Sequence, residues 1–449
     1  MAERGNFGSR LGIILATAGS AVGLGNVWRF PFMTGHNGGA AFILLYLACV
    51  VLLGIPGMIC EFIVGRRAQT NAPRAYSLFG RRWRWVGYLG VLTSTVILGF
   101  YAVVAGWCLW YLFVSLSAQL GSDAQQVAAS FQQFSGDAVK PCLCSAAFLL
   151  ITHVVVVQGI HSGIERASKL LMPILLLLLV VIVVASCMLP GAMKGVSFLF
   201  KPDFTKLSSS VFLEALGQAF FSLSLGTACL CTYASYFSHE TNLSRSAIQI
   251  ALLDSAIAIL AGLMIFPAAF SVGVQPDSGP SLLFITLPNV FRDAFAGMPL
   301  MGYAISIMFY LLLVFAALTS TISMHEIGTA FFTEELHQPR KRAAWLLTSV
   351  CLCLAVACSL SVGNRPALSF FGLPLMELFD RATAQLMLPA GALFTSIMIG
   401  WFADRQLVRS EFTNHGAQRG SLFRAWLFSV KYVVPVFILL ILLHQLGVV

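Results

Sequence analysis

The chain has 449 residues, 58% of them hydrophobic and only 10% charged, with a mean hydropathy of +0.86. A soluble globular domain is about a quarter charged, so the composition excludes one and implies a polytopic membrane protein. The formal net charge of +9 does not imply nucleic-acid binding, because no soluble segment is present to carry a basic face and the Lys and Arg cluster in short loops.

A membrane span takes about 20 apolar residues. In chain order, eleven stretches qualify: 11–34, 40–65, 87–117, 141–159, 166–190, 210–237, 243–274, 299–333, 342–362, 374–402 and 425–447. The first follows Arg4 and Arg10 without a small-residue cleavage site, so it reads as a retained helix and not a signal peptide. The segment 66–84 holds six arginines and Pro73 and is too polar to span. With the N-terminus inside, eighteen of the 27 Lys and Arg fall in inner segments and eight in outer ones. This bias predicts a cytoplasmic N-terminus and, with eleven spans, a C-terminus outside. The one glycosylation sequon, at Asn242, then lies inside, which fits a bacterial inner membrane. Eleven cysteines show no zinc or redox spacing and read as small apolar residues.

Two spans carry internal disruption. "GSAVGLGNVWRFP" at 19–31 places glycines, Asn26, Arg29 and Pro31 inside the first. "GQAFFSLSLGT" at 217–227 places Ser222, Ser224 and Gly226 inside the sixth. If spans 1–5 and 6–10 are repeats, the breaks occupy corresponding positions, and the repeats are inverted. Glycines alone also serve close helix packing. Paired breaks instead point to the binding site of a secondary transporter, because non-helical backbone at membrane depth is tolerated only where it is buried in protein or lines a cavity. Freed N–H groups there attract an anion and freed carbonyls a cation.

At these segments the sequence resembles the neurotransmitter:sodium symporter family, in particular its bacterial amino-acid members of the leucine-transporter type. The motifs are Arg10-Leu11-Gly12, "AVGLGNVWRFP" at 21–31, "NGG" at 37–39, "FYAVVAGW" at 100–107, "GQAFFSLSLG" at 217–226, "TYASY" at 232–236 and "ALTSTIS" at 317–323. The resemblance runs through at least the first ten spans. It implies an all-α membrane fold: one transport domain over residues 1–449, an inverted 5+5 helix repeat at about 8–190 and about 205–403 with helices 1 and 6 broken at the midplane, and an extra C-terminal helix at about 421–449. It also implies symport of an amino acid with sodium ions by alternating access.

Carried over by motif position, the substrate carboxylate is expected at the N–H groups of Leu24 and Gly25 and the hydroxyl of Tyr101. The amino group is expected at the carbonyls of Ala21, Phe221 and Ser222 and the hydroxyl of Ser224, with Ser20 and Ser320 beside them. Ile97, Tyr101, Phe221, Thr227 and Met324 are expected to wall the side chain. Monoamine-carrying members place an aspartate where Gly23 stands, so this chain is expected to need a carboxylate on its substrate. A neutral, medium-to-large hydrophobic or aromatic amino acid fits; another carboxylated amine is the near alternative, and a non-transporting amino-acid sensor the more distant one.

Two sodium sites are implied. One takes the carbonyls of Gly19, Val22 and Ala316 with the hydroxyls of Thr319 and Ser320. The other takes the Ala21 carbonyl, the side chains of Asn26, Ser222 and Asp254, and the substrate carboxylate itself. That shared ligand makes each partner raise the other's affinity. Asp254 replaces an asparagine of the leucine-transporter type, and Ala258 stands where that type has glutamate and chloride-dependent members have serine. An intramembrane carboxylate is costly and functional by default, so Asp254 is expected to supply the charge that chloride supplies elsewhere, and no chloride is expected. Tyr46, Gln218 and Ser222 keep part of the chloride-site pattern.

Arg29 and Asp380 are expected to pair across the outer entrance. On the inner side Arg4 is expected to pair with Glu334, or with the adjacent Glu335, and Phe7 to plug beside Tyr236. Gly163 and Pro173 resemble a spacing that lets the inner end of span 5 unwind. No H-E-x-x-H motif is present, since His325 and His239 each lack a second histidine, so an intramembrane protease is excluded and no enzyme is expected.

Overall fold

The computed structural model describes residues 7–119, 123–273, 282–362, 368–417 and 420–445. Among these, nine continuous helical runs are long and apolar enough to cross a membrane. They are span 2 (Ala40–Ala68), span 3 (Arg81–Leu116), span 4 (Lys140–Val157), span 5 (Ile160–Cys187), span 7 (Leu243–Ser271), span 8 (Pro299–Glu335), span 9 (Arg340–Val362), span 10 (Leu375–Phe402) and span 11 (Gly420–Gln445). The remaining two spans of the sequence reading are the broken ones.

Span 1 consists of half 1a (Arg10–Ala21) and half 1b (Gly25–His36), bent by 57°. Ser9 starts 1a by accepting from the Gly12 N–H at 3.0 Å, a side-chain N-cap. Half 1a stops where Val22 turns extended, and 1b restarts as a π-helical turn over Gly25–Arg29 with Pro31 just inside the following α-helix. Pro31 thus follows closely on the π-helical turn, where the regular hydrogen-bond ladder is already shifted and its missing N–H is accommodated. Span 6 consists of half 6a (Ser209–Ser222) and half 6b (Cys229–Ala234), each too short to cross alone. Between them the backbone turns through positive φ at Ser224, Gly226 and Ala228. Glycine is required at 226, since a Cβ there would lie 2.1 Å from the Leu388 carbonyl of span 10. The broken backbone is satisfied from neighbouring spans, as membrane depth demands. Glu61 of span 2 accepts from the Gly226 N–H at 2.7 Å, and Ser94 of span 3 donates to the Thr227 carbonyl at 2.6 Å.

Span 8 is the most buried of the continuous spans, while spans 5 and 11 present most of their length outward. The predicted boundaries hold within a few residues, except that span 3 begins at Arg81, span 5 at Ile160 with a π-helical turn and span 11 at Gly420. The stretch 118–140 holds an unpredicted helix, Ala124–Gly136, capped by Asp123. Its Phe131 and Phe134 pack on Trp107, Trp110 and Tyr111 of span 3.

Candidate functional site

The two breaks face one another around a cavity of about 80 Å3. Its lining includes Ser20, Ala21, Gly25, Asn26, Ile97, Tyr101, Phe221, Ser222, Ser224, Thr227, Ser320 and Met324, so it gathers the residues singled out from sequence from spans 1, 3, 6 and 8. Leu24 lines the adjoining vestibule. The Tyr101 hydroxyl accepts from the Leu24 N–H at 3.0 Å and so stands at the bare start of 1b. Gly23 is tightly enclosed: a Cβ there would lie 2.6 Å from Ser320 Oγ and 3.0 Å from the Tyr101 hydroxyl. Ser224 donates to the Ser20 carbonyl at 3.3 Å, tying one break to the other.

Two oxygen-rich clusters border the cavity. In the first, Thr319 Oγ1 reaches the carbonyls of Ala316 at 3.0 Å and Val22 at 3.4 Å, and Ser320 Oγ reaches Val22 O at 3.2 Å. Gly19 packs against the same threonine, since a Cβ there would be 3.3 Å from Thr319 Cβ. All five expected residues therefore meet where 1a ends against span 8. In the second, Asp254 of span 7 is fully buried and accepts from three side chains. Ser222 Oγ donates at 2.6 Å and the Tyr46 hydroxyl at 3.3 Å to one oxygen, and Asn26 Nδ2 donates at 2.8 Å to the other. Asn26 Oδ1 accepts from the Gly23 N–H at 3.1 Å, which closes the cluster onto the break of span 1. Gln218, one turn before Ser222, is buried, and neither end of its amide has a hydrogen-bond partner among the described residues. Hard cations take oxygen ligands, and both clusters supply them at the ends of broken helices.

The expected ion pair between Arg29 and Asp380 is not formed. Both line a vestibule of about 590 Å3 that meets the cavity at Gly25, Phe100, Tyr101 and Phe221. Arg29 instead sits 4.2 Å from the centroid of the Phe221 ring, a cation–π contact that offsets part of its burial. On the opposite, N-terminal face the start of span 1 packs on the end of span 6. Phe7 packs edge-on to Tyr233 and Tyr236, and its N–H donates to the Tyr236 carbonyl. Arg4 lies outside the described residues. Glu334 accepts from Thr70 Oγ1 at 2.6 Å and the Asn71 N–H at 2.7 Å, and Glu335 pairs with Arg74 and Arg84. Pro173 lies inside a helix that is still wound.

Sequence reading missed several participants. Phe100, Cys229, Ser323, Thr383 and Leu388 also line the cavity. On the N-terminal face the Tyr236 hydroxyl donates to Glu326 at 2.7 Å, Glu326 pairs with Arg340, and Arg340 donates to the Val156 carbonyl at 2.8 Å. Glu165 accepts from the Gly8 N–H, Ser9 Oγ and Lys169, fastening the start of 1a to span 5. A carboxylate inside an apolar run was the available signal for Glu61, as it was for Asp254. His325 is buried and bonds Thr348 and Thr329.

Two interrupted spans that bring bare helix ends to one buried polar cavity define a secondary transporter of the inverted-repeat class. Comparison with known proteins gives the family. The description "Sodium:neurotransmitter symporter family" matches residues 4–133 and 126–449. The sodium-dependent transporter YhdH of Bacillus subtilis is 38% identical over 98% of this chain and 97% of its own length. A sodium-dependent transporter of Haemophilus influenzae is 32% identical over 99% and 98%. The crystal structure of MhsT in complex with L-phenylalanine is 38% identical, covers 99% of this chain and all of that one, and superposes with a TM-score of 0.89. The chain belongs to the sodium:neurotransmitter symporter family and is a sodium-dependent symporter with the fold of that structure.

Proposed function

We propose that the protein imports a neutral amino acid, hydrophobic or aromatic, together with two sodium ions and without chloride. The observation that carries the reading is the enclosure of Gly23. Glycine carries no charge there, and a Cβ would crowd Ser320 Oγ and the Tyr101 hydroxyl, so position 23 offers no anion to a substrate amine and the substrate brings its own carboxylate. The substrate carboxylate then docks at the start of 1b, on Leu24, Gly25 and Tyr101, and its second oxygen reaches the cluster of Ala21, Asn26, Ser222 and Asp254 as a sodium ligand. The amino group lies at the carbonyls of Ala21, Phe221 and Ser222 with Ser224. The second ion lies among Gly19, Val22, Ala316, Thr319 and Ser320. Ile97, Phe100, Phe221, Met324 and Leu388 offer an apolar wall, and the phenylalanine held by MhsT, a relative of this similarity, supports a side chain of that kind.

Asp254 replaces chloride as the fixed charge beside the first ion. The N-terminal face is cytoplasmic, in a bacterial inner membrane, with the C-terminus outside, so the vestibule opens outward and the Phe7 seal is the inner gate. The repeats, about 8–190 and about 205–403, alternate access to the cavity, and Arg29 closes toward Asp380 once the substrate is bound. Two sodium ions moving down a potential of 100 mV supply about 4.6 kcal/mol, at about 2.3 kcal/mol per charge, which sustains more than a thousandfold accumulation of a neutral substrate. The test is a screen of the twenty amino acids for sodium-dependent thermal stabilisation of the purified protein. Stabilisation by large neutral amino acids in sodium but not in potassium, equal in chloride and gluconate, is the expected result. Stabilisation by amines that lack a carboxylate would contradict it.

A further inference from the structure

Three π-helical turns meet away from the substrate cavity: Val50–Gly54 in span 2, Met398–Phe402 at the end of span 10 and Ser429–Val433 in span 11. Such turns interrupt a regular helix and recur at functional sites. At their junction Lys431 lays its stem across Gly400, where a Cβ would be 3.1 Å from Lys431 Cγ. Its ammonium lies 5.2 Å from the centroid of the Trp401 ring, and Trp401 Nε1 donates to the Lys431 carbonyl at 3.0 Å. On the next residue, Phe402, rests the guanidinium of Arg82, 4.3 Å from the ring centroid. Two cations are thus stacked on the last two side chains of span 10.

Neither cation has a carboxylate within 4 Å among the described residues, whereas four other arginines of this face are paired internally. Arg66 is held by Glu411, Arg74 and Arg84 by Glu335, and Arg340 by Glu326. The surface around Lys431 is open on the membrane side: Trp401 is 53% exposed, Phe402 50% and Tyr432 47%. Exposed aromatic rings beside cations at the end of a span have the composition of the interfacial belt, and a lysine just inside it extends its ammonium toward the headgroups. A ring face satisfies an ammonium only in part; a phosphate oxygen supplies the missing acceptor and the missing charge.

We propose that Lys431 and Arg82, framed by Trp401, Phe402 and Tyr432, bind the phosphate of an anionic phospholipid on the N-terminal face. The site has a route to transport. Span 10 abuts the break of span 6 through Leu388 and Gly391, both packed on Gly226. Val434 of span 11 lines a small cavity with Glu61 and Leu225 beside the same break. A headgroup held across spans 3, 10 and 11 fastens the wall against which span 6 turns.

The test uses the detergent-purified full chain, its melting temperature followed while phosphatidylglycerol, phosphatidylcholine or inorganic phosphate is added. Phosphatidylglycerol raises the melting temperature and the other two do not. Lys431→Met together with Arg82→Gln loses roughly half or more of that rise, Lys431→Arg keeps it, and Lys341→Ala, an exposed lysine elsewhere, leaves it intact. If the double variant yields no folded protein, Arg82→Gln alone serves for the comparison. An undiminished rise in the variants, or an equal rise with phosphatidylcholine, overturns the site. An equal rise with inorganic phosphate overturns the lipid as its ligand.

Discussion

Exchange of Asp254 for asparagine isolates the charge of the second oxygen cluster. The two side chains have the same shape, so the buried site keeps its volume. Both carboxylate oxygens are engaged as acceptors, by Ser222 at 2.6 Å, Asn26 at 2.8 Å and Tyr46 at 3.3 Å. The amide keeps an acceptor for the Asn26 Nδ2 donor, and its new NH2 faces the Ser222 and Tyr46 hydroxyls, which can turn to accept, so the main loss is the charge. Two unit charges about 4 Å apart in an effective dielectric near 20 attract by about 4 kcal/mol, roughly a thousandfold in affinity. Remaining oxygen ligands and local water reduce the net effect, so a loss of about ten- to a hundredfold in sodium affinity is expected. Tyr46, Gln218 and Ser222 still surround the position, so chloride is expected to restore part of the loss. The assay is a sodium titration of amino-acid binding to purified Asp254→Asn protein in chloride and in gluconate. Sodium affinity within about threefold of the parent protein, indifferent to chloride, would refute the reasoning.

Thr319→Val removes the hydroxyl that reaches the Ala316 and Val22 carbonyls; sodium affinity measured the same way is expected to fall about tenfold, or about 1.4 kcal/mol, with little change in fold. Gly23→Ala drives a methyl to 2.6 Å from Ser320 Oγ; amino-acid binding by equilibrium dialysis is expected to weaken at least about tenfold while the melting temperature shifts by only a few degrees. Arg340→Gln strands Glu326, which is buried against Tyr236; breaking a buried pair costs about 3–5 kcal/mol, so both the melting temperature and the uptake rate are expected to drop.

The spans and both breaks were legible because long apolar runs and the glycines, serines and proline inside them are local signals. The cavity residues were legible through the order of the motifs, and the structure gathers them from spans 1, 3, 6 and 8 into one lining. What was not legible depends on distant packing. Glu61 meets Gly226 across 165 positions, and Arg340 meets the Val156 carbonyl across 184. Nothing local marks Arg340, because only the docked fold brings it to Glu326. The helix Ala124–Gly136 was missed because its glutamines and serines give no membrane signal, and its apolar side packs under the Trp107 and Trp110 rings. The missing Arg29–Asp380 pair belongs to side-chain placement that the sequence does not encode locally: Arg29 rests on the Phe221 ring instead.

The most direct test of the account is uptake of labelled phenylalanine into proteoliposomes under an imposed sodium gradient, with choline as the control cation. The account predicts concentrative uptake in sodium, abolished in choline, accelerated by a potential negative inside and unchanged when gluconate replaces chloride. Binding without uptake or counterflow, or uptake at the same rate in choline, would contradict it.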